Sequence, residues 1–383
     1  MHLNPVLADL GEYPIATIHL RARQRRDAGL PVIDFSIGDP REPTPPSIPE
    51  ALRRAVPEVS QYPTAAGLPE LRRAIAGYVE RRFEAEVDPD TQVIPTSGAK
   101  EAIFNTPFAF IDRDAGDVVV YPSPGYPVYE RGARFAGAAV HPIVLGGDFV
   151  FRASDVPAEA WDAARLVWNC TPHNPTGAVA TAADLAELYE RSREADALLL
   201  SDECYSDIYE EDAYPGGPAS VLQIAGPDLR GTLAYLSLSK RSGMTGYRSG
   251  AIVGDADAIA ALRSLRSTTG TASPEFVQSA AVVAWHDDGH VAERRAIFAE
   301  KRRIVRGAFD DLGLRTVASR AGLYLWIEVE DDLATTDRLL EHGIVVSPGR
   351  FFGRGGEGFI RLALVPTVDA CADAADVLRS VLA

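Results

Sequence analysis

The most informative stretch of the chain is Ser237-Leu238-Ser239-Lys240-Arg241-Ser242-Gly243-Met244-Thr245-Gly246-Tyr247-Arg248-Ser249-Gly250. It directly follows an apolar run, residues 232–236, that is typical of a buried β-strand. Hydroxyl groups and the guanidinium of Arg248 suit a phosphate dianion, and a neighbouring lysine amine suits an imine with an aldehyde. Taken alone, Lys240 is equally compatible with an ordinary surface charge, so the choice between the two interpretations depends on other parts of the sequence.

Short apolar runs alternate with helical patterns through most of the chain, as expected when helices cover both faces of a parallel sheet. Predicted strands lie at residues 92–95, 117–121, 165–169, 197–201, 232–236 and 251–254. Helical periodicity between them covers, for example, residues 69–82, 182–195 and 255–267. The alternation predicts an α/β fold with an open, mostly parallel sheet.

The pattern changes in the last part of the chain. A charged helix is predicted at residues 289–312, then strands at 322–329 and 359–364, and a final helix at 368–382. We therefore predict a large α/β domain over residues 47–278 and a small α+β domain over residues 279–383. Residues 1–46 are predicted to form an N-terminal arm and part of the small domain.

Composition excludes several classes of partner. The chain carries 54 acidic and 38 basic side chains, a formal net charge of −16, which argues against nucleic acid or an anionic membrane as a partner. No apolar stretch reaches the roughly 18 residues of a membrane span, and no signal peptide is visible, so we expect a cytoplasmic protein. Because Cys170, Cys204 and Cys371 form no CxxC pair and the histidines show no ligand spacing, we expect reduced thiols and no metal.

Polar segments directly follow three of the predicted strands. They are Ser97-Gly98-Ala99-Lys100, Asp202-Glu203-Cys204-Tyr205 and Ser237-Leu238-Ser239-Lys240. Ligands of open α/β sheets bind at the carboxyl ends of the strands. The three segments are therefore expected to converge on one edge of the sheet and to form a single site.

Further motifs occur in order over nearly the whole chain. They are Gly38-Asp39-Pro40, Tyr62-Pro63 with Gly67-Leu68, Ser97-Gly98-Ala99-Lys100, Pro124-Gly125-Tyr126, Asn174-Pro175-Thr176-Gly177, Ser201-Asp202-Glu203-Cys204-Tyr205 and Phe359-Ile360-Arg361-Leu362. Together with the lysine segment, this series resembles the fold type I, class I and II, pyridoxal-phosphate-dependent aminotransferases. Each motif is weak alone, but the whole series in the order of the family is highly specific.

The resemblance implies pyridoxal 5′-phosphate as the cofactor, carried as a Schiff base on Lys240, which also serves as general acid and base. Asp202 is implied to pair with the protonated pyridine nitrogen, and Asn174 and Tyr205 to bond to the ring oxygen. Tyr126 is implied to stack on the ring. If the resemblance is set aside, Asp202 is compatible with a helix cap, Asn174 with a turn, and Tyr126 with a position in the core.

The resemblance also implies which residues bind the phosphate and that a second subunit contributes to the site. Phosphate ligands implied by the family are the backbone amides of Gly98, Ala99 and Lys100 and the side chains of Ser237, Ser239 and Arg248. A tyrosine at the position of Tyr62 reaches the phosphate from the partner subunit in this family. A homodimer with a shared active site is therefore implied.

Arg361 lies within a strand pattern, where a charge is costly unless it is paired. The resemblance makes it the fork that binds the substrate α-carboxylate, close to the Gly38 backbone and Asn174; otherwise it is an exposed arginine on an alternating strand. For the distal end of the substrate, Arg41 and Arg350 are candidates, although both are equally compatible with solvated loop arginines.

Several segments are further similar to bacterial N-succinyldiaminopimelate aminotransferases. They include Asn4-Pro5-Val6-Leu7, Gly38-Asp39-Pro40-Arg41-Glu42 and Asp202-Glu203-Cys204-Tyr205-Ser206. This resemblance implies amino transfer from glutamate to N-succinyl-2-amino-6-oxopimelate, which gives N-succinyl-LL-2,6-diaminopimelate in lysine biosynthesis. Aspartate, alanine or aromatic specificity stays open, as does a C–S β-lyase of the same fold, or a regulatory protein that keeps the fold without turnover.

A glycine-rich stretch, residues 353–358, matches the GxGxxG pattern of dinucleotide-binding turns. It precedes a predicted strand instead of following one, and it opens no predicted helix. The pattern therefore indicates a flexible loop and not a dinucleotide site.

Overall fold

The structure, a computed structural model, describes residues 2–9 and 16–383. Its strands are β1 (Ile33–Asp34), β2 (Val93–Thr96), β3 (Val118–Ser123), β4 (Ala139–Val144), β5 (Ala164–Cys170), β6 (Leu198–Asp202), β7 (Thr232–Ser237), β8 (Gly250–Gly254), β9 (Thr316–Val317), β10 (Tyr324–Glu328), β11 (Ile344–Val345), β12 (Ser347–Pro348) and β13 (Phe359–Ala363). Its α-helices are α1 (Pro5–Asp9), α2 (Ala16–Asp27), α3 (Ser47–Ala55), α4 (Pro69–Phe83), α5 (Ala99–Asn105), α6 (Pro107–Phe110), α7 (Val128–Ala136), α8 (Ala158–Ala163), α9 (Ala182–Glu194), α10 (Val221–Ile224), α11 (Leu238–Arg241), α12 (Ala256–Thr269), α13 (Glu275–His286), α14 (Gly289–Asp311), α15 (Asp332–Glu341) and α16 (Val368–Leu382). Within the described residues, none of these helices has the length and apolar character that a membrane crossing requires.

Seven strands form the central sheet in the order β2-β8-β7-β6-β5-β3-β4. Its strand pairs are parallel except those of β8, which runs antiparallel to both β2 and β7. The predicted α/β class with a mostly parallel sheet is confirmed. Two details were not predicted: β4 is an additional edge strand, and the apolar run of β8 gave no sign of its reversed direction.

Helices cover both faces of the central sheet. Along β6, Leu199 packs in a core with α4, α9 and α13, whereas Leu200 packs in a second core with α5, α7 and α12. Both leucines are fully buried, as the two-residue period of a strand between two helical layers requires. Polar side chains that follow the strands are thereby left at the carboxyl edge of the sheet.

A second, antiparallel sheet in the order β12-β13-β10-β9 lies in the C-terminal part of the chain. Helices α14 and α16 contribute Phe298, Phe309 and Leu378 to a core shared with Leu362 of β13. Strand β1 pairs in parallel with β11 and so joins the segment before residue 46 to this part. The domain boundaries at 46/47 and 278/279 stay a prediction.

Helix α11 is a single turn that begins immediately after β7. The side-chain oxygen of Ser237 caps this turn by accepting a hydrogen bond from the backbone N–H of Ser239 at 3.2 Å. Lys240 lies in the same turn. The end of a buried strand and a capped turn therefore determine where the lysine side chain starts.

Candidate active site

A cavity of about 970 Å³ opens at the carboxyl ends of β5, β6 and β7. Predicted site residues that line it are Gly38, Ala99, Lys100, Tyr126, Asn174, Asp202, Tyr205, Ser237, Ser239, Lys240, Arg248 and Arg361. The three strand-end segments do converge on one site. Gly98, Tyr62 and Arg41 do not line the cavity, although Gly98 directly precedes α5, whose first residues do.

The amine of Lys240 faces this cavity, and the side chain is half-buried. Its Nζ donates a hydrogen bond to the Gly38 carbonyl oxygen. Burial lowers the pKa of the amine to about 8; the Asp39 carboxylate opposes this shift, and the Arg361 and Arg248 cations reinforce it. A substantial fraction of the amine is therefore neutral near physiological pH, and the neutral form is the one that attacks a carbonyl.

Asp202 ends β6 and is 4% exposed. Its carboxylate accepts hydrogen bonds from the Tyr129 hydroxyl at 2.7 Å and from the backbone N–H of Cys204 at 3.2 Å. Tyr129 in turn stacks on Trp168, with the ring centroids 4.8 Å apart. Burial raises the pKa of Asp202, and no lysine or arginine in the described part of the chain forms an ion pair with it. Such a carboxylate suits a ligand that brings its own positive charge.

Arg361 projects from β13 and is 6% exposed. Its Nη1 donates to Asn174 Oδ1 at 3.0 Å, and its Nη2 donates to the Ser36 carbonyl oxygen at 2.6 Å. The guanidinium carbon lies 4.5 Å from the ring centroid of Tyr324 and 4.4 Å from that of Phe352. These contacts fix the orientation of the planar fork at the cavity wall, where it can bind a carboxylate.

Two tyrosine side chains link Arg361 to the Asn174 side chain. The hydroxyl of Tyr205 lies 2.9 Å from that of Tyr324 and accepts from Asn174 Nδ2 at 3.4 Å. Burial raises the pKa of both tyrosines, so both stay protonated. A Cβ atom on Gly38 would lie 2.5 Å from the Tyr324 hydroxyl. Tyr324 was not found from the sequence because it belongs to none of the recognised motifs.

The end of the site nearest α5 carries a guanidinium and hydroxyl groups. Gly98 precedes α5 with a φ of 89°, and a Cβ atom there would lie 2.5 Å from Arg248 Nη2. Nη1 of the same arginine donates to the Thr245 carbonyl oxygen at 2.9 Å. Ser237 and Ser239 line the same cavity. A side chain at position 98 would therefore have to displace the Arg248 guanidinium, and the positive φ would add backbone strain.

These groups fit pyridoxal phosphate in charge and in kind. An amine of lowered pKa suits the aldehyde, a buried carboxylate without a cation suits the protonated pyridine nitrogen, and a guanidinium with hydroxyls suits the phosphate. The Asn174 amide and the Tyr205 hydroxyl are donors for the ring oxygen. The residues present therefore match the cofactor that the sequence resemblance implies.

The outer part of the cavity carries charges of both signs. Charged residues that line it are Asp9, Glu130, Arg131, Arg134, Arg350 and Arg354. Arg350 is committed to Asp332, whose fully buried carboxylate accepts from Nη2 of the arginine at 2.6 Å. Arg354, in contrast, forms no ion pair with a carboxylate of the described residues. Arg41 is exposed outside the cavity, so its contact with substrate stays a prediction.

Tyr62 is 99% exposed, and the nearby Val56 and Val59 are 56% and 74% exposed. Its side chain does not reach the cavity of its own chain. The predicted contact between Tyr62 and the phosphate of a second subunit therefore stays a prediction.

Comparisons with known proteins address the family directly. A model of the family described as aminotransferase class I and II matches residues 31–378. A solved aminotransferase from Neisseria meningitidis has the same fold, with a TM-score of 0.92 and 32% identity over the full length of both chains. The family match includes all the predicted site residues that line the cavity, from Gly38 to Arg361.

Two further relatives carry more specific names. The LL-diaminopimelate aminotransferase of Desulforudis audaxviator is 36% identical, over 98% of this chain and 97% of its own length. A probable N-succinyldiaminopimelate aminotransferase from Thermus thermophilus has a TM-score of 0.88 at 28% identity, over 95% of this chain and 99% of its own. Similarity over this length leaves no part of the site outside the match, and the chain belongs to the class I and II aminotransferases, which are pyridoxal-phosphate-dependent enzymes.

Proposed function

We propose that the chain moves an amino group between a diaminopimelate-type amino acid and a 2-oxo acid, with Lys240 as the catalytic lysine. The observation that carries this proposal is that Lys240 and Arg361 line one cavity. An α-amino acid has its carboxylate and its amine on one carbon atom, so a carboxylate held by Arg361 brings the amine towards Lys240.

Each side chain then has a defined task. When bound, pyridoxal phosphate supplies a conjugated ring that draws electrons away from the substrate Cα. The Lys240 amine takes the proton from Cα, because a pKa of about 8 leaves it partly neutral near pH 7. Asp202 keeps a negative charge at the pyridine nitrogen, and Asn174 and Tyr205 orient the ring oxygen.

The outer part of the cavity supports a long substrate with charge at its far end. LL-diaminopimelate has an α-amino acid group at each end, so its distal end carries both an ammonium and a carboxylate. Glu130 and Arg354, which both line the cavity, are complementary to these two charges. The name of the relative from Desulforudis audaxviator refers to the same compound.

The N-succinylated compound expected from the sequence is the second candidate, and the name of the Thermus thermophilus relative supports it. Succinylation removes the distal ammonium and adds another carboxylate. Glu130 lines the cavity, and its only ion pair among the described residues is a long one, 3.6 Å from Arg134, so its carboxylate would disfavour that group. We therefore rank the free diaminopimelate above the succinylated form.

We also propose that the active enzyme is a homodimer in which Tyr62 reaches the phosphate of the partner subunit. The nearly complete exposure of Tyr62 and the neighbouring exposed valines support this proposal. Sedimentation of the purified protein as a monomer would contradict it. The cytoplasmic location stays a prediction.

The first prediction concerns the substrate. With 2-oxoglutarate as acceptor, we expect kcat/KM for LL-2,6-diaminopimelate to exceed that for its N-succinyl derivative about tenfold, because only the free form pairs an ammonium with Glu130. Glutamate formation, coupled to glutamate dehydrogenase, measures both rates. The reverse preference would favour the second candidate, and faster release of pyruvate from cystathionine would indicate a C–S lyase.

The second prediction concerns the distal end. Arg354→Ala should raise the KM for diaminopimelate about tenfold and leave the KM for alanine unchanged, because alanine has no distal carboxylate. Arg41→Ala is the matched control and should alter neither value, since Arg41 lies outside the cavity. A raised KM for diaminopimelate in Arg41→Ala but not in Arg354→Ala would indicate that Arg41 binds the distal carboxylate.

The third prediction concerns the phosphate end. Gly98→Ala should weaken pyridoxal phosphate binding about tenfold or more, because the new methyl group would displace the Arg248 guanidinium. Gly116→Ala is the matched control: Gly116 also has a positive φ, of 77°, but apart from its chain neighbours no described residue has an atom within 4 Å of the added Cβ. Cofactor affinity is measured by titrating the visible absorption. An equal effect of both substitutions would mean that backbone strain alone is responsible.

The fourth prediction follows from the lowered pKa of Lys240. The rate at which cofactor-free protein captures pyridoxal phosphate should rise with pH up to about 8 and level off above it, because the amine is then neutral. Stopped-flow absorbance gives the rate. Nα-acetyl-lysine in the same buffers corrects for titration of the cofactor and should still gain rate up to about pH 10. A protein rate that climbs in parallel with the model amine would contradict the prediction.

A further inference from the structure

Lysine is rare in this chain. Only Lys100, Lys240 and Lys301 occur among the 38 lysine and arginine residues. The first two line the cavity, but Lys301, in helix α14, does not. Its side chain is nevertheless 0% exposed. A fully buried ammonium outside the active site needs partners that compensate its charge, and those partners indicate what it does.

Lys301 bonds to two parts of the chain that are far apart in sequence. Its Nζ donates to the Glu42 carboxylate and, at 3.3 Å, to the carbonyl oxygen of Leu364. Glu42 is itself only 10% exposed. Leu364 directly follows β13, the strand that carries Arg361. Lys301 therefore connects the segment around Glu42 to the strand of the carboxylate-binding arginine.

The segment around Glu42 forms one wall of the site. We call residues 35–44 the strap. The strap carbonyls of Ser36 and Gly38 accept hydrogen bonds from Arg361 and Lys240, respectively. A shift of the strap relative to β13 would therefore change both the orientation of the arginine fork and the surroundings of the catalytic amine.

We propose that Lys301 is a positioning residue for the α-carboxylate subsite. By holding Glu42 of the strap beside the Leu364 carbonyl, it keeps the strap and Arg361 at a fixed spacing. Without the ammonium, the nearest remaining cation to Glu42 is Arg294, 4.0 Å away. A carboxylate so deeply buried would move towards water, and the strap would move with it.

The choice of lysine over arginine agrees with this role. A lysine ammonium is compact and can direct its three donors to oxygens that do not lie in one plane. Here one donor meets a carboxylate and another meets a main-chain carbonyl. A guanidinium would direct its donors within one plane and would therefore match these two oxygens less freely.

The test measures binding of 2-methylalanine, which has an α-carboxylate and an α-amine but no Cα proton and no distal group. It is titrated against the visible absorption of the cofactor-loaded protein. Lys301→Met and Glu42→Gln should each weaken its binding about tenfold. The double variant should bind 2-methylalanine about as well as the more affected single variant, because both changes break the same contact. KM values for long and short substrates should rise by the same factor, with kcat changed less than threefold.

Matched controls separate this role from general stability. Arg303→Met removes an exposed ion pair on the same helix and should leave binding unchanged. If Lys301→Met does not fold, Glu42→Gln, which keeps the side-chain shape, decides the matter. Unchanged 2-methylalanine binding in a folded variant would overturn the proposal, as would a loss confined to diaminopimelate.

The inference rests on the proposed role of Arg361, which Arg361→Lys tests separately. Weaker binding in Arg361→Lys together with normal binding in Lys301→Met would overturn only the present inference. Normal binding in Arg361→Lys would overturn the carboxylate assignment and this inference with it. Because 2-methylalanine has no distal group, the outcome does not depend on which diaminopimelate derivative is the substrate.

Discussion

Desolvation of the Lys240 amine is the constraint on which the rest of the site depends. Burial favours the neutral amine and thereby prepares it to react with an aldehyde, but no single element can bury it. The end of β7 provides the lysine, and the Gly38 carbonyl of the strap receives its hydrogen bond. The chemistry of one residue is thus coupled to the contact between the central sheet and the N-terminal part of the chain.

The Asp202 carboxylate is also withdrawn from water, but in its case burial disfavours a negative charge. Burial raises its pKa, and the Tyr129 hydroxyl and a backbone N–H only partly offset the loss of water. An ammonium that burial disfavours and a buried carboxylate without a cation are both unfavourable in the protein alone. With the proposed roles of Lys240 and Asp202, a cofactor with an aldehyde at one position and a protonated nitrogen at another would relieve both at once, and its binding would also stabilise the folded chain.

The sequence predicted the parts of the fold that follow from periodicity. Strands β2, β6 and β7 end at Thr96, Asp202 and Ser237, each one residue beyond the end of the predicted strand. The sequence did not predict β4, an edge strand that contains Pro142, nor the reversed direction of β8. Apolar runs report burial, and burial is the same for either strand direction. The direction depends on the connections, which have no periodic signal.

Cavity-lining residues that belong to a motif could be predicted from the sequence, whereas those defined by tertiary partners could not. Tyr324 and Lys301 contact residues that are distant in the chain, so no local pattern marks them. The sequence also does not indicate which of the loop arginines Arg350 and Arg354 is available to a substrate. In sequence, Arg350 and Arg354 are equivalent, but Arg350 already neutralises the fully buried Asp332. A substrate carboxylate could recruit Arg350 only by leaving that aspartate without its cation, a competition that Arg354 does not face. The arginine that a substrate can use is therefore decided by the ion pairs formed in the folded chain.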